Sequence, residues 1–174
     1  MMYRFSIFVT LLVSCALIPA KSQDHTTQTP NKRIALYLGH TLIPEVRSEK
    51  RFVIPSWGLD LDYWFNPKIG LGLHSDIELE TFVIKSEKTE ELERNYPLVL
   101  TLDALYSPIE GLILQVGPGA EVDRQKSFFL VRMGIEYEIQ LTHHWDLSPT
   151  IFYDHRIYNF STWTFSLGVG KRFN

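Results

Sequence analysis

The last fourteen residues constrain the fold more than any other part of this chain. From Ser161 they read STWTFSLGVGKRFN. Trp163, Phe165, Leu167, Val169, Lys171 and Phe173 occupy one parity; Thr162, Thr164, Ser166, Gly168, Gly170 and Arg172 occupy the other. Strict period-2 alternation over that length predicts a β-strand with an apolar, aromatic-ended face and a small or polar face.

Seven earlier segments repeat the rhythm. The first sets Ile34, Leu36 and Leu38 against Arg33, Ala35, Tyr37 and Gly39, and the second sets Trp57, Leu59, Leu61, Tyr63 and Phe65 against Gly58, Asp60, Asp62 and Trp64. The third runs from Ile69 to Glu80, the fourth from Tyr96 to Tyr106 and the fifth from Leu112 to Val122, with a bulge or bend expected at Gly117-Pro118-Gly119. The sixth runs from Phe129 to Gln140 and the seventh from Trp145 to Asp154. Turn chemistry at Asn66-Pro67-Lys68, residues 107–111 and Thr142-His143-His144 predicts tight links after the second, fourth and sixth segments. The links after the first (43–52) and third (84–95) are longer and charged, the second of them a candidate contact surface. Eight strands with short and long links alternating predict an antiparallel up-and-down barrel over residues 32–174.

Before it lies MMYRFSIFVTLLVSCALIPAKSQ, with one early cation, Arg4, and a short apolar core. It reads as a secretory signal peptide over 1–22, with Ala20 and Ser22 preceding the cut, and a flexible polar lead over 23–31. The single cysteine, Cys15, lies inside this leader, so the mature chain has no thiol unless Cys15 is itself a lipidation site. No apolar run reaches the ~20 residues of a transmembrane helix. With a net charge of -3 and no long basic run, nothing in the sequence suggests nucleic acid, and no nucleic-acid partner is expected.

A soluble ligand-binding barrel alternates in the same way with its apolar face inward. The aromatics decide between the two. Trp57, Tyr63, Phe65, Tyr96, Tyr106, Trp145, Tyr153, Trp163, Phe165 and Phe173 all share the apolar parity, most near strand ends, where membrane interfaces place aromatic girdles. The other parity mixes glycine with ionisable groups, as a narrow packed lumen requires. Lys171 shares the apolar parity near the last turn, placed to snorkel to headgroups.

In strand rhythm, girdles and the terminal GVGKRF stretch, residues 32–174 resemble the small eight-stranded outer-membrane barrels of Gram-negative bacteria, the OmpA/OmpX-like and "porin family" barrels, and among them the versions common in Bacteroidetes-type organisms. Those families end on the aromatic; here Asn174 follows Phe173. The resemblance implies insertion by the barrel-assembly machinery, a monomer surrounded by outer-membrane lipid and lipopolysaccharide, and no single activity.

The expected lumen is acidic: Asp60, Asp62, Asp76, Glu78, Glu80, Asp103, Glu121, Glu136, Glu138 and Asp154 against Arg33, Arg132, Arg172 and His74. Buried charges require partners, so a network of arginines bridging carboxylates is expected. The alternative is a narrow channel or a barrel that holds cations, with His74, Asp76 and Glu78 on one face. Trp64, Phe82 and Phe152 point inward and argue against an open pore. Catalysis is not expected. His74 and Ser75 are adjacent and face opposite sides, His143-His144 falls in a turn, and His155 has no serine near it in sequence. No cofactor or catalytic metal is called for; the role expected is a structural or interaction module.

Overall fold

The computed structural model describes residues 31–44, 51–85, 91–124, 126–157 and 159–173. The leader, Cys15 and the lead up to residue 30 lie outside them. The strands are β1 Lys32–Pro44, β2 Arg51–Asn66, β3 Ile69–Glu78, β4 Thr81–Lys85, β5 Glu91–Asn95, β6 Leu98–Ile109, β7 Leu112–Val122, β8 Phe128–Tyr137, β9 Ile139–Gln140, β10 Trp145–Arg156 and β11 Ser161–Phe173. β9 continues β8 past a break at Glu138, so the eight barrel staves are β1, β2, β3, β6, β7, β8 with β9, β10 and β11. Each pairs antiparallel with the next, and β11 returns to β1, running from Lys32↔Phe173 to Leu42↔Trp163. The sheet closes, and no stave is an edge.

Local chemistry sets the turns at one end. The Asn66 Oδ1 accepts the amides of Lys68 at 2.9 Å and Ile69 at 3.0 Å, holding the β2–β3 reversal as an Asx turn. Gly111 at φ 82° completes the β6–β7 turn, a backbone conformation that side chains with a Cβ rarely adopt. The third turn closes through the Leu141 amide donating to the Trp145 carbonyl at 2.9 Å.

Outward positions are predominantly apolar: Leu36, Leu61, Leu73, Leu102, Val116, Ile135, Ile151 and Leu167 all lie exposed at mid-strand. Tyr63, Phe65, Tyr106, Tyr137, Trp145 and Phe173 ring the turn end, and Trp57, Tyr96, Phe129 and Trp163 ring the loop end. Trp163 and Phe173 are ten residues apart on β11. At ~3.3 Å per residue and a tilt near ~40°, that is about 25 Å along the barrel axis, the height of a transmembrane apolar band. The Lys171 ammonium sits 5.3 Å from the Trp145 ring centre within the turn-end girdle. The molecule is therefore an eight-stranded antiparallel up-and-down barrel with the inside-out polarity of the transmembrane class, opposite to that of a lipocalin.

Four expectations change. β7 runs unbroken through Gly117-Pro118-Gly119 and stays in register with β8. Pro118 has no N–H for the ladder, and pairing to β6 lapses at that point while the register on either side is kept. The first link contracts, because β1 extends to Pro44 and β2 begins at Arg51. β3 stops at Glu78, so Leu79 and Glu80 form an exposed bend and Glu80 leaves the lumen. The charged link after it is largely a second hairpin, β4–β5, and Tyr96, at φ 49°, breaks the chain between β5 and β6.

Candidate functional site

Even-numbered positions of β2, β3, β8, β10 and β11, and odd ones of β1 and β6, point into the barrel. They build a polar column with an apolar cluster near each end. Toward the turn end, Arg33 is fully buried. Its Nη2 lies 2.6 Å from Asp146 Oδ1 and 2.9 Å from Glu136 Oε1, and its Nη1 lies 3.1 Å from Asp62 Oδ2. Its Nε lies 3.2 Å from Glu138 Oε1. One planar fork thus serves four carboxylates, a geometry that lysine cannot reproduce. Tyr37 closes the group by donating its hydroxyl to Glu136 at 2.8 Å. Gly168, directly across the ladder from Tyr37, leaves room for that ring: a Cβ there would lie 2.7 Å from the ring Cζ.

His74 lies between Asp62 at 3.0 Å and Asp103 at 2.9 Å. Toward the loop end, Arg132 binds Asp154 through Nε at 2.7 Å and Asp76 through Nη1 at 2.5 Å. Above it, Glu121 accepts from both Arg94 and Arg156. Each of these three arginines also lies over an aromatic ring. Arg132 is 4.6 Å from the Phe152 centre, Arg156 is 4.3 Å from Phe160 and Arg94 is 4.8 Å from Phe128. A desolvated guanidinium gains from an aromatic face on one side and carboxylates in its plane.

Phe128 and Phe160 belong to the outer seal, a buried cluster with Ile43, Ile54, Phe82 and Ile84. The β4–β5 hairpin supplies Phe82, Ile84 and Arg94 to this end, so the segment expected as a solvated contact loop folds inward as a cap. At the turn end Trp64, Leu105 and Ile113 pack together. A cleft of about 530 Å³ opens there, reaching Trp64 and Ile113 and flanked by Glu138 and Arg172, which form an ion pair.

The expected network exists, with a different set of members. Asp60, Asp62, Glu78, Asp103, Glu121, Glu136, Glu138 and Asp154 are buried, as is Asp146. The Asp60 carboxylate oxygens have no hydrogen-bond partner among the described residues. Arg33, Arg132 and His74 are inside as expected, while Arg172 is half-buried at the mouth. Arg94 and Arg156 are fully buried and were not anticipated: Arg94 lay in the supposed loop, and Arg156 lay one rung beyond the assigned end of its strand. Each shares the inward parity of its neighbours, Ile84 and Phe82 across the hairpin and Asp154 along β10, which was the available signal.

His74, Asp76 and Glu78, the candidate cation ligands, do not converge. They pair separately with Asp62 and Asp103, with Arg132, and with Arg156 at 3.7 Å. No group of three metal-ligating side chains converges among the described residues. The expectation that His155 lacks a serine is overturned: cross-strand register places Ser161 opposite it, with Nδ1···Oγ at 3.0 Å, on the outward face. No carboxylate engages this histidine among the described residues, so the pair lacks the orienting third group of a catalytic triad.

No family model and no curated protein matches the chain. Solved structures do. OprG of Pseudomonas aeruginosa, an outer-membrane protein, superposes with a TM-score of 0.64 at 14% identity, over 87% of this chain and 100% of its own. Ail of Yersinia pestis, the attachment invasion locus protein, solved with the heparin analogue sucrose octasulfate, gives 0.60 at 13%, over 84% and 100%. The N-terminal β-barrel domain of Pseudomonas aeruginosa OprF gives 0.58 at 14%, over 84% and 100%. At such identities the likeness is one of fold: the chain has the fold of the small eight-stranded outer-membrane β-barrels.

Proposed function

We propose that this protein is an integral outer-membrane barrel that acts as a structural or interaction module, its lumen filled and closed to solutes. The observation that carries this reading is the polarity of the wall. An apolar belt about 25 Å high faces outward, while buried arginines and carboxylates, joined in ion pairs and sealed by Phe82, Phe128 and Phe160 at one end, fill the inside. Eight staves leave an interior just wide enough for side chains, and here large ones occupy it. The likeness to OprG and Ail supports the compartment.

Membrane fractionation combined with heat-modifiable gel mobility tests the reading. A detergent-extracted band that shifts on boiling is the expected result, and a soluble periplasmic protein would end the proposal. Planar-bilayer recordings should show no stable large conductance.

A further inference from the structure

Polar side chains are scarce on the outward wall, which makes one pair informative. On β10 and β11, His155 and Ser161 face each other across the ladder with Nδ1 and Oγ 3.0 Å apart. The neighbouring stave offers only Val131 in the same rung. Immediately below, Tyr153 and Trp163 form the next cross-strand pair, their ring centres 4.8 Å apart and tilted by 49°. Below them come Ile151 and Phe165, fully in the apolar belt.

The order along the wall is thus two polar groups, two amphipathic aromatics, then hydrocarbon. Ser161 lies two residues beyond Trp163, or about 5 Å further along the barrel axis at the tilt used above. The hydrocarbon core ends at the girdle, and headgroups occupy the next several ångströms. The His155–Ser161 pair therefore stands in the headgroup layer at the loop end, the end that carries the long links of such barrels.

We propose that this patch binds the phosphorylated sugar headgroup of an outer-leaflet glycolipid. With Nδ1 accepting the Ser161 hydroxyl, the Nε2–H of His155 donates to a phosphate oxygen and the Ser161 Oγ accepts from a sugar hydroxyl. The Tyr153 and Trp163 rings receive the apolar face of a sugar ring, and the acyl chains descend over Ile151 and Phe165. The occupant is a lipid because the patch is continuous with the lipid-facing belt; the sugar is inferred from aromatic surface beside hydrogen-bonding groups. This inference rests on the outer-membrane reading above.

The test uses the full mature chain in phosphatidylcholine nanodiscs doped with bis-phosphorylated lipid A, with retained lipid counted by native mass spectrometry. Wild type and His144→Ala, altered in the turn at the opposite end, should retain lipid A equally. The double variant His155→Ala/Ser161→Ala should retain about tenfold less, the effect of losing one or two hydrogen bonds. Each preparation must show the heat-shifted band of an inserted barrel; a wild type that never inserts refutes the membrane reading itself. Equal retention by an inserted double variant overturns the site. So does displacement of lipid A by phosphatidylglycerol at equal concentration, which would reveal a general anionic-lipid surface without sugar recognition.

Discussion

An arginine scan along the outward face of β11 tests the depth axis on which the whole reading depends. Leu167 lies near the middle of the Trp163–Phe173 span and is half exposed. Val169 and Phe165 flank it about 5 Å away along the barrel axis, and Trp163 lies about 10 Å away on the loop side. Lys171 lies at a similar depth on the turn side and is already a cation, its ammonium over Trp145. A cation at the midplane of a lipid-facing wall costs ~2–4 kcal/mol, falling to ~0–1 near the interfaces. Leu167→Arg should therefore destabilise by about 2–4 kcal/mol, Phe165→Arg and Val169→Arg by less, and Trp163→Arg least through charge alone. The assay is a reversible urea titration of the barrel in phospholipid vesicles, followed by gel mobility. If this outward face met water instead of lipid, Leu167→Arg would cost within ~0.5 kcal/mol, like other surface substitutions. In a lipocalin-like barrel all four positions would point into the core, and each charge would be heavily destabilising with no dependence on depth. A flat profile across the four positions would refute the inside-out assignment, whatever the fold.

Inside the wall, Arg33→Met strands four carboxylates and should cost about 3–5 kcal/mol by the same titration. Adding Asp146→Asn should recover part of that loss, a coupling of roughly 1–3 kcal/mol, and strict additivity would argue against a shared network. Tyr37→Phe removes the hydroxyl that serves Glu136 and should cost about 1–2 kcal/mol. Gly168→Ala drives a methyl group into the Tyr37 ring and should cost about 1–3 kcal/mol; combined with Tyr37→Ala it should cost less than the sum of the two single changes. Phe82→Ala opens a void in the outer seal and should lower stability by about 3–5 kcal/mol, while bilayer recordings stay silent because Arg94, Glu121 and Arg156 still fill the section below.

Side-chain parity is a local property, so the chain revealed the staves and the sense of the wall at once. Trp163, Leu167 and Val169 declare their face without reference to any neighbour. What escaped depends on pairing between distant segments. Ser161 is opposite His155 only because the β10–β11 register makes it so, and nothing in either residue's surroundings announces that. Arg94 and Arg156 were hidden by premature strand ends, since composition in a charged stretch resembles a loop until the partner strand is known. Glu80 failed in the reverse sense: its parity is inward, yet the break after Glu78 releases it. The cation triplet failed because shared parity places groups on one side of a sheet without saying which arginine stands across the lumen.

The β1–β11 ladder has a kinetic meaning. Every other stave pairing except β3 with β6 can form by zipping a local hairpin, but joining Lys32 to Phe173 closes a loop of roughly 140 residues, with an entropy cost on the order of 4 kcal/mol. That cost is recovered only when the whole eleven-residue run engages. The seam should accordingly form last, and until it does the chain carries two raw strand edges at the membrane. The seam is also where the barrel is most permutable. Asn31 and Phe173 meet at the turn end, so a short linker there, with new termini at the Glu110–Gly111 turn, should give a chain that reaches the same barrel while its last-formed pairing moves to β6–β7.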